Sequence, residues 1–398
     1  MTKKKLLLIS AISPFPMDSG GAVRSFNTLK YMSQYFDIHY IFFKSRDYTL
    51  TNQDIEFLKQ TTKTYYVIPL GLNKTETAFL SDMQPYWFSE WMNDELKILL
   101  LSIIRKFDID LVQLDYTQIF YLYDYIPKGC TVVGTAVDIS TISFWRRINE
   151  VKKHINMPVL YYRLLQVYLY EKRFSSKFDL LVVMSKKDEV FANNLLKVNK
   201  PLIVQNGIDM LHVDEVKSPH KKLILGYIGS FNHSPNRYAV EYFILNIAPL
   251  LEEKGIDFEY IIAGNNSQRE VSFIVQKSLL KDKTRIRDIG FVKDLKDFYK
   301  SIDILVAAIK SGSGTRIKIL ESLSYQVPVV TTPIGGEGLE DLNSLCLQIV
   351  NTDEEFVDAI KTANNLQTFD LNPTLQNYTW KVIFEKYVDY LRSMSFFK

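Results

Sequence analysis

Residues 311–322 read SGSGTRIKILES, placing two glycines, two cations and a carboxylate close together. Gly312 and Gly314 follow an apolar run, a turn that lets the backbone approach a ligand closely. Arg316 and Lys318 then fall in or near the first turn of a helical pattern. Cations at a helix amino end oppose its dipole, and a bound anion such as a diphosphate resolves that conflict. Glu321 stands one turn past Lys318, where a carboxylate suits the paired hydroxyls of a ribose. The bland alternative is a solvated helix start with a Lys318–Glu321 surface pair.

These residues need a scaffold. Short apolar runs rich in β-branched and aromatic residues recur: KLLLISAI, IHYIFF, TYYVIPL, DLVQLD, TVVGTAV, DLLVVMS and LIVQNG in the first half. The pattern restarts with LILGYIGS, FEYIIAGN, RIRDIGF, DILVAAI, VPVVTT and LCLQIV. Nearly continuous hydrophobicity implies burial on both faces, as in parallel sheets. Strand–helix alternation twice over predicts two doubly wound α/β domains facing a central cleft. The 311–322 stretch then lies where a strand's carboxyl end meets a helix amino end, the edge at which such sheets bind ligands.

Composition narrows the class. With 398 residues the chain is long enough for two or three domains. Two distant cysteines argue against a disulfide framework or a cysteine-based metal site and suit a reducing compartment. No apolar run approaches the roughly 18 residues of a membrane span, and the opening MTKKKLLLISAIS reads as a buried strand rather than a signal peptide. A cytoplasmic location is expected. The net charge of +3 is uneven: residues 1–200 hold 26 Lys and Arg against 20 Asp and Glu. Much of that excess lies in 144–174, where cations alternate with aromatics. That segment is a solvated helical face or a peripheral contact with anionic lipid at the inner face of the cytoplasmic membrane. No nucleic-acid motif accompanies the charge. Neither a Walker-type Gly-x4-Gly-Lys-Ser/Thr nor a Gly-x-Gly-x-x-Gly after the first strand occurs, which weakens the case for a nucleotide triphosphatase or a dinucleotide oxidoreductase.

GSGTRIKILESLSYQVPVVTTPIGGEGLE resembles the donor-site signature of family 4 glycosyltransferases with the GT-B fold. PFPMDSGGAVR, DLLVVMSKKD, VQNGID, YIIAGN and IRDIGFVKDLKDFYKSIDILVAA, with a late Trp380, echo it along the chain. The resemblance implies an acceptor-binding domain over 1–205, a nucleotide-sugar domain over 206–376, and a terminal helix over 377–398 that packs back on the first domain. It implies sugar transfer with retention, from a UDP- or GDP-sugar to a glycan, lipid-linked or protein acceptor, without a metal or other cofactor. A role in bacterial surface polysaccharide or glycoconjugate synthesis follows from the family's tendency. By motif match, Gly312, Ser313, Gly314, Thr315, Arg316 and Lys318 face the diphosphate and Glu321 the ribose. Phe291 and Val292 lie against the base, and Gly20 and Gly21 offer amides to the diphosphate. Arg24, Asp115, Tyr116 and Asp138 fall on the acceptor side, Asp138 to orient or deprotonate the acceptor hydroxyl.

Three departures qualify this. Relatives carry an Arg and a Lys after the first strand of the second domain, where this chain reads YIGSFNHSPNRYAVEYF, so Arg316 and Lys318 are expected to take over stabilisation of the leaving diphosphate. Ser313 stands at the spacing of a first glutamate, and Val137 precedes Asp138 where relatives place a histidine. A catalytically silent partner of an active transferase, a nucleotide-sugar epimerase and a sugar phosphorylase therefore stay open as alternatives.

Overall fold

The computed structural model describes residues 3–44, 48–70, 84–85, 87–92, 94–150, 157–210, 222–311, 316–342, 344, 346–366 and 372–394. The chain divides into two compact units, residues 1–205 with 380–398, and 206–379.

In the first unit, β1 (Lys4–Ser10), β2 (Phe36–Lys44), β3 (Thr64–Pro69), β4 (Leu111–Asp115), β5 (Thr131–Ala136), β6 (Leu180–Val183) and β7 (Leu202–Ile203) form one sheet. Its order is β3-β2-β1-β4-β5-β6-β7, with every pair parallel. Hydrophobic runs buried on both faces explain it: Leu6 to Ile9 are all at most 1% exposed. The chain reverses its winding between β1 and β4, so the carboxyl ends at Ser10 and Asp115 stand side by side. Ser19 caps the Gly20–Met32 helix that follows β1, accepting from the Ala22 amide. The Trp380–Ser393 helix packs on that helix, Phe384 stacking on Tyr31.

In the second unit, β8 (Leu223–Ile228), β9 (Phe258–Ala263), β10 (Ile286–Gly290), β11 (Ile304–Ala307), β12 (Val329–Thr331) and β13 (Leu347–Ile349) are parallel in the order β10-β9-β8-β11-β12-β13. Alternate residues serve opposite cores. Leu225, Tyr227, Tyr260, Ile262, Ile304 and Val306 pack on one face, and Ile261, Ala263, Leu305 and Val329 on the other. Winding reverses between β8 and β11, which sets the ligand edge of this sheet. All thirteen strands predicted from the sequence are present, β7 being the most truncated because Gln205–Gly207 leaves the sheet after Ile203.

Candidate functional site

At the reversal point of the second sheet, the Ile317–Ser324 helix follows β11 with Arg316 as its uncapped N-cap residue. Gly312, Ser313, Gly314 and Thr315 lie outside the described residues. The Arg316 guanidinium donates to the Ser311 carbonyl at 3.2 Å.

Lys318 turns away from Glu321 toward β8. Its ammonium donates to the Tyr227 hydroxyl at 2.9 Å and to Asn236 Oδ1 at 2.8 Å, and sits 4.2 Å from the centre of the Tyr227 ring. Asn236, in the Ser234–Tyr242 helix after β8, also accepts from the Tyr227 hydroxyl at 2.8 Å and donates to the Ser230 carbonyl at 2.8 Å. Among the described residues no carboxylate pairs with Lys318. Burial, followed by the neighbouring Arg316 charge, pushes the ammonium down to about 7, with Glu321 opposing. Glu321 instead accepts from the Tyr299 hydroxyl at 3.1 Å, and burial raises its pKa from the ordinary carboxylate value, against that hydrogen bond and the Lys318 charge. The surface ion pair considered from spacing alone is thus replaced by two separate polar anchorages.

Beside this edge, β9 and β10 end at a cavity of about 550 Å³, within the size range of small-ligand sites. Gly264, Asn265, Gln268, Arg269, Gly290 and Phe291 help to line it. Phe291 is 65% exposed, whereas its neighbour Val292 packs into the core. The aromatic face of this loop is therefore offered to the cavity side, not consumed by packing. Ser267 donates to Asp288 at 2.8 Å and bonds to the Gly264 carbonyl at 3.0 Å, which braces the wall. Arg237 sits 3.8 Å from Glu270.

In the first unit Gly20 and Gly21 open the Gly20–Met32 helix. A Cβ on Gly21 would come within 2.9 Å of Ile12 and of the Tyr116 hydroxyl, and that hydroxyl donates to the Gly21 carbonyl at 3.1 Å. Asp115 and Tyr116, expected on the acceptor side, are 2% and 5% exposed. Asp115 accepts from Gln113 at 2.8 Å, Gln113 accepts from Tyr387 at 3.0 Å, and burial raises the Asp115 carboxyl while the buried Arg24 charge opposes it. Arg24, itself buried, donates to the Gln205 carbonyl at 3.3 Å. The opposite charges of Arg24 and Asp115 partly offset the desolvation that burial imposes on each. Asp138 alone of the acceptor-side group is exposed, accepting from Ser143 at 2.6 Å.

Sequence reasoning missed four polar partners: Tyr227, Asn236, Tyr299 and Glu171. Glu171 is fully buried and accepts the Ser140 amide at 2.7 Å, the Thr141 amide at 3.1 Å and the Thr141 hydroxyl at 2.6 Å. Its only sequence signal is being one of two acids in a largely cationic, aromatic segment. Among the described residues no helix is long and apolar enough to cross a membrane.

Comparison with known proteins agrees with this arrangement. Residues 222–364 match the family model described as Glycosyl transferases group 1. A Klebsiella pneumoniae relative, an uncharacterized 44.6 kDa protein in a cps region, is 23% identical over 381 residues, covering 89% of this chain and 90% of that protein. The sucrose-phosphate synthase of Thermosynechococcus elongatus superposes with a TM-score of 0.69 at 13% identity, covering 98% of each chain. Anabaena HepE in complex with UDP gives 0.61 at 14% identity, over 98% of this chain and 100% of that one. The likeness to glycosyl transferases group 1 thus lies in residues 222–364, and the chain's two parallel α/β units have the GT-B fold.

Proposed function

We propose that this chain transfers a sugar from a nucleoside-diphosphate sugar to an acceptor hydroxyl with retention and without a required metal ion. The observation that carries the reading is Lys318, an ammonium held by two neutral oxygens beside Arg316 at the ligand edge of the second sheet. Lys318 has no carboxylate within hydrogen-bond reach among the described residues, and a diphosphate suits two neighbouring cations at such a helix start. In the reaction the bond from the anomeric carbon to the diphosphate breaks and a bond to the acceptor oxygen forms. The acceptor proton departs, and negative charge grows on the diphosphate. Arg316 and Lys318 stabilise that charge as preorganised cations. By the motif match, residues 312–315, Gly20 and Gly21 serve the diphosphate and Glu321 accepts from the ribose hydroxyls. Phe291 bounds the base subsite, with Val292 packed behind it rather than against the base as expected. Asp138 orients or deprotonates the acceptor, while Arg24, Asp115 and Tyr116 support the acceptor side from within the first unit.

The complex of the similar Anabaena protein with UDP favours a uridine diphosphate donor, with a GDP-sugar as the next choice. The cps-region relative favours work on a bacterial surface polysaccharide or glycoconjugate, at a membrane face met through 144–174. Thermal unfolding in the presence of UDP-, GDP-, ADP- and dTDP-sugars tests the donor, because a ligand that binds only the folded state raises its stability. One nucleotide series is expected to raise the midpoint; no stabilisation by any of them overturns the reading. Transfer or slow hydrolysis of the stabilising donor separates an enzyme from a silent partner protein.

A further inference from the structure

We infer that Asn236 is a positioning residue that aims the Lys318 ammonium at the donor diphosphate. The inference rests on the donor reading above. A lysine side chain is a compact charge on a flexible four-carbon stem, so at the amino end of a helix it needs something to hold it over the ligand edge. Asn236 does this with all of its polar atoms. Its Oδ1 accepts from Lys318 and from Tyr227, both at 2.8 Å, and its Nδ2 donates to the Ser230 carbonyl at 2.8 Å. The Ser230 bond fixes the amide: turning it over would set the NH2 against the ammonium and the oxygen against a carbonyl. The Tyr227 ring closes the other side at 4.2 Å. Gly229 leaves room for this cradle, since a Cβ there would lie 2.7 Å from both Lys318 Nζ and the Asn236 amide carbon.

The choice of amide matters. An aspartate in the same place would pair with Lys318 and neutralise it, as an opposite charge at contact does. The neutral oxygen orients the ammonium and leaves its charge for a ligand. Asn236 also lies in the segment YIGSFNHSPN, where the cationic clamp of related sequences was expected. The cradle explains how one side of that clamp is rebuilt: the cation comes from the 317–324 helix and the aiming group from the 234–242 helix.

The test compares UDP and GDP with uridine and guanosine, the same bases without the diphosphate, on the full chain by calorimetry and ligand-detected NMR. Asn236→Ala is expected to weaken the nucleotide by about tenfold while the matching nucleoside changes by less than about twofold. Asn236→Asp, nearly isosteric, should weaken the nucleotide at least as much, and it carries the test should the alanine variant not fold. In Lys318→Ala, adding Asn236→Ala should have little further effect, because the two act as one unit. Equal weakening of nucleotide and nucleoside, or undiminished nucleotide affinity in Asn236→Asp, overturns the inference alone. If wild-type chain binds neither UDP nor GDP, the donor reading falls and takes this inference with it.

Discussion

The Glu171 carboxylate accepts the Ser140 amide at 2.7 Å and so closes the amino end of the Ser140–Glu150 helix, two residues past Asp138. Burial pushes this carboxyl up to about 7, against the hydrogen bonds from Thr141 and Ser140 that favour its ionised form. Between pH 4.5 and 7 the folded chain therefore holds a proton that the unfolded chain has lost. Stability then falls as pH rises through that window, by about 3 kcal/mol at most for this group. Glu171→Gln removes the titration. Chemical unfolding at pH 5 and pH 8 should show the variant gaining on wild type at the higher pH. A difference between the two proteins that is the same at both pH values would refute the assignment.

Lys318 gives the opposite sign. Its folded value near 7 lies below the ordinary 10.5, so the unfolded chain binds more protons between those limits and stability rises with pH across them. Burial and the Arg316 charge lower the folded value and the Glu321 charge raises it, while Tyr227 and Asn236 accept from the ammonium as neutral groups. A diphosphate favours the protonated form. Binding of UDP should therefore take up a proton at pH 8 and weaken from pH 7 to pH 9, both readable by calorimetry in buffers of different ionisation heat. Lys318→Met should abolish the pH dependence; a variant that keeps it would show that another group is responsible.

How much of this was legible beforehand depends on distance along the chain. The strands were readable because each is a local run buried on both faces, as in Leu6 to Ile9. Arg316, Lys318 and Glu321 stood out because one helix turn brings them together. Their partners did not, because Lys318 meets Tyr227 across 91 residues and Asn236 across 82. Glu171 meets Thr141 across 30. Pairings of that kind are set by the order of strands in the sheet, which no local pattern encodes. The burial of Asp115 was hidden for the same reason: Gln113, Thr135 and the distant Tyr387 are folded around it.

Two glycines at neighbouring strand ends should respond differently to the same change. A Cβ on Gly229 meets the Lys318 ammonium and the Asn236 amide, both ends of side chains that can move. Gly229→Ala should fold, with a loss of about tenfold in UDP affinity as the cradle is displaced. A Cβ on Gly264 would lie 2.0 Å from the Gly229 carbonyl oxygen, which is backbone. Gly264→Ala should cost several kcal/mol, about the scale of severe overpacking, and fail to give a cooperative transition. Calorimetric unfolding of the two variants side by side checks the contrast, and equal stability would contradict it.

Removal of Arg316 tests whether the cation at the N-cap serves the reaction. It donates to the Ser311 carbonyl at 3.2 Å, and the proposed function gives it the charge that grows on the departing diphosphate. Arg316→Ala should lower turnover of the stabilising donor by about a hundredfold or more, the scale for losing one preorganised charge-stabilising donor. Nearly unchanged donor affinity and turnover would exclude it from that role.

The 144–174 segment supplies the last test. It carries seven Lys and Arg against two acids, one of which, Glu171, is buried. The Ser140–Glu150 and Met157–Ser175 helices pack together, and Trp145 is 54% exposed on the first. On the second, Tyr161, Leu165 and Leu169 recur every four residues as an exposed stripe, at 51%, 46% and 36%. Four such side chains offer much less than the roughly 800 Å² per partner of a standard protein interface, and two copies of so cationic a surface would repel. Apolar and aromatic side chains among cations suit an anionic bilayer surface instead. Co-sedimentation should show binding to vesicles of phosphatidylcholine and phosphatidylglycerol at 3:1, weakened by salt, and none to phosphatidylcholine alone. Trp145→Ala with Leu165→Ser should lower that binding about tenfold or more without changing UDP affinity, because each buried apolar group contributes to the partition. Binding that ignores lipid charge, or that survives the double change, would refute a membrane role for this face.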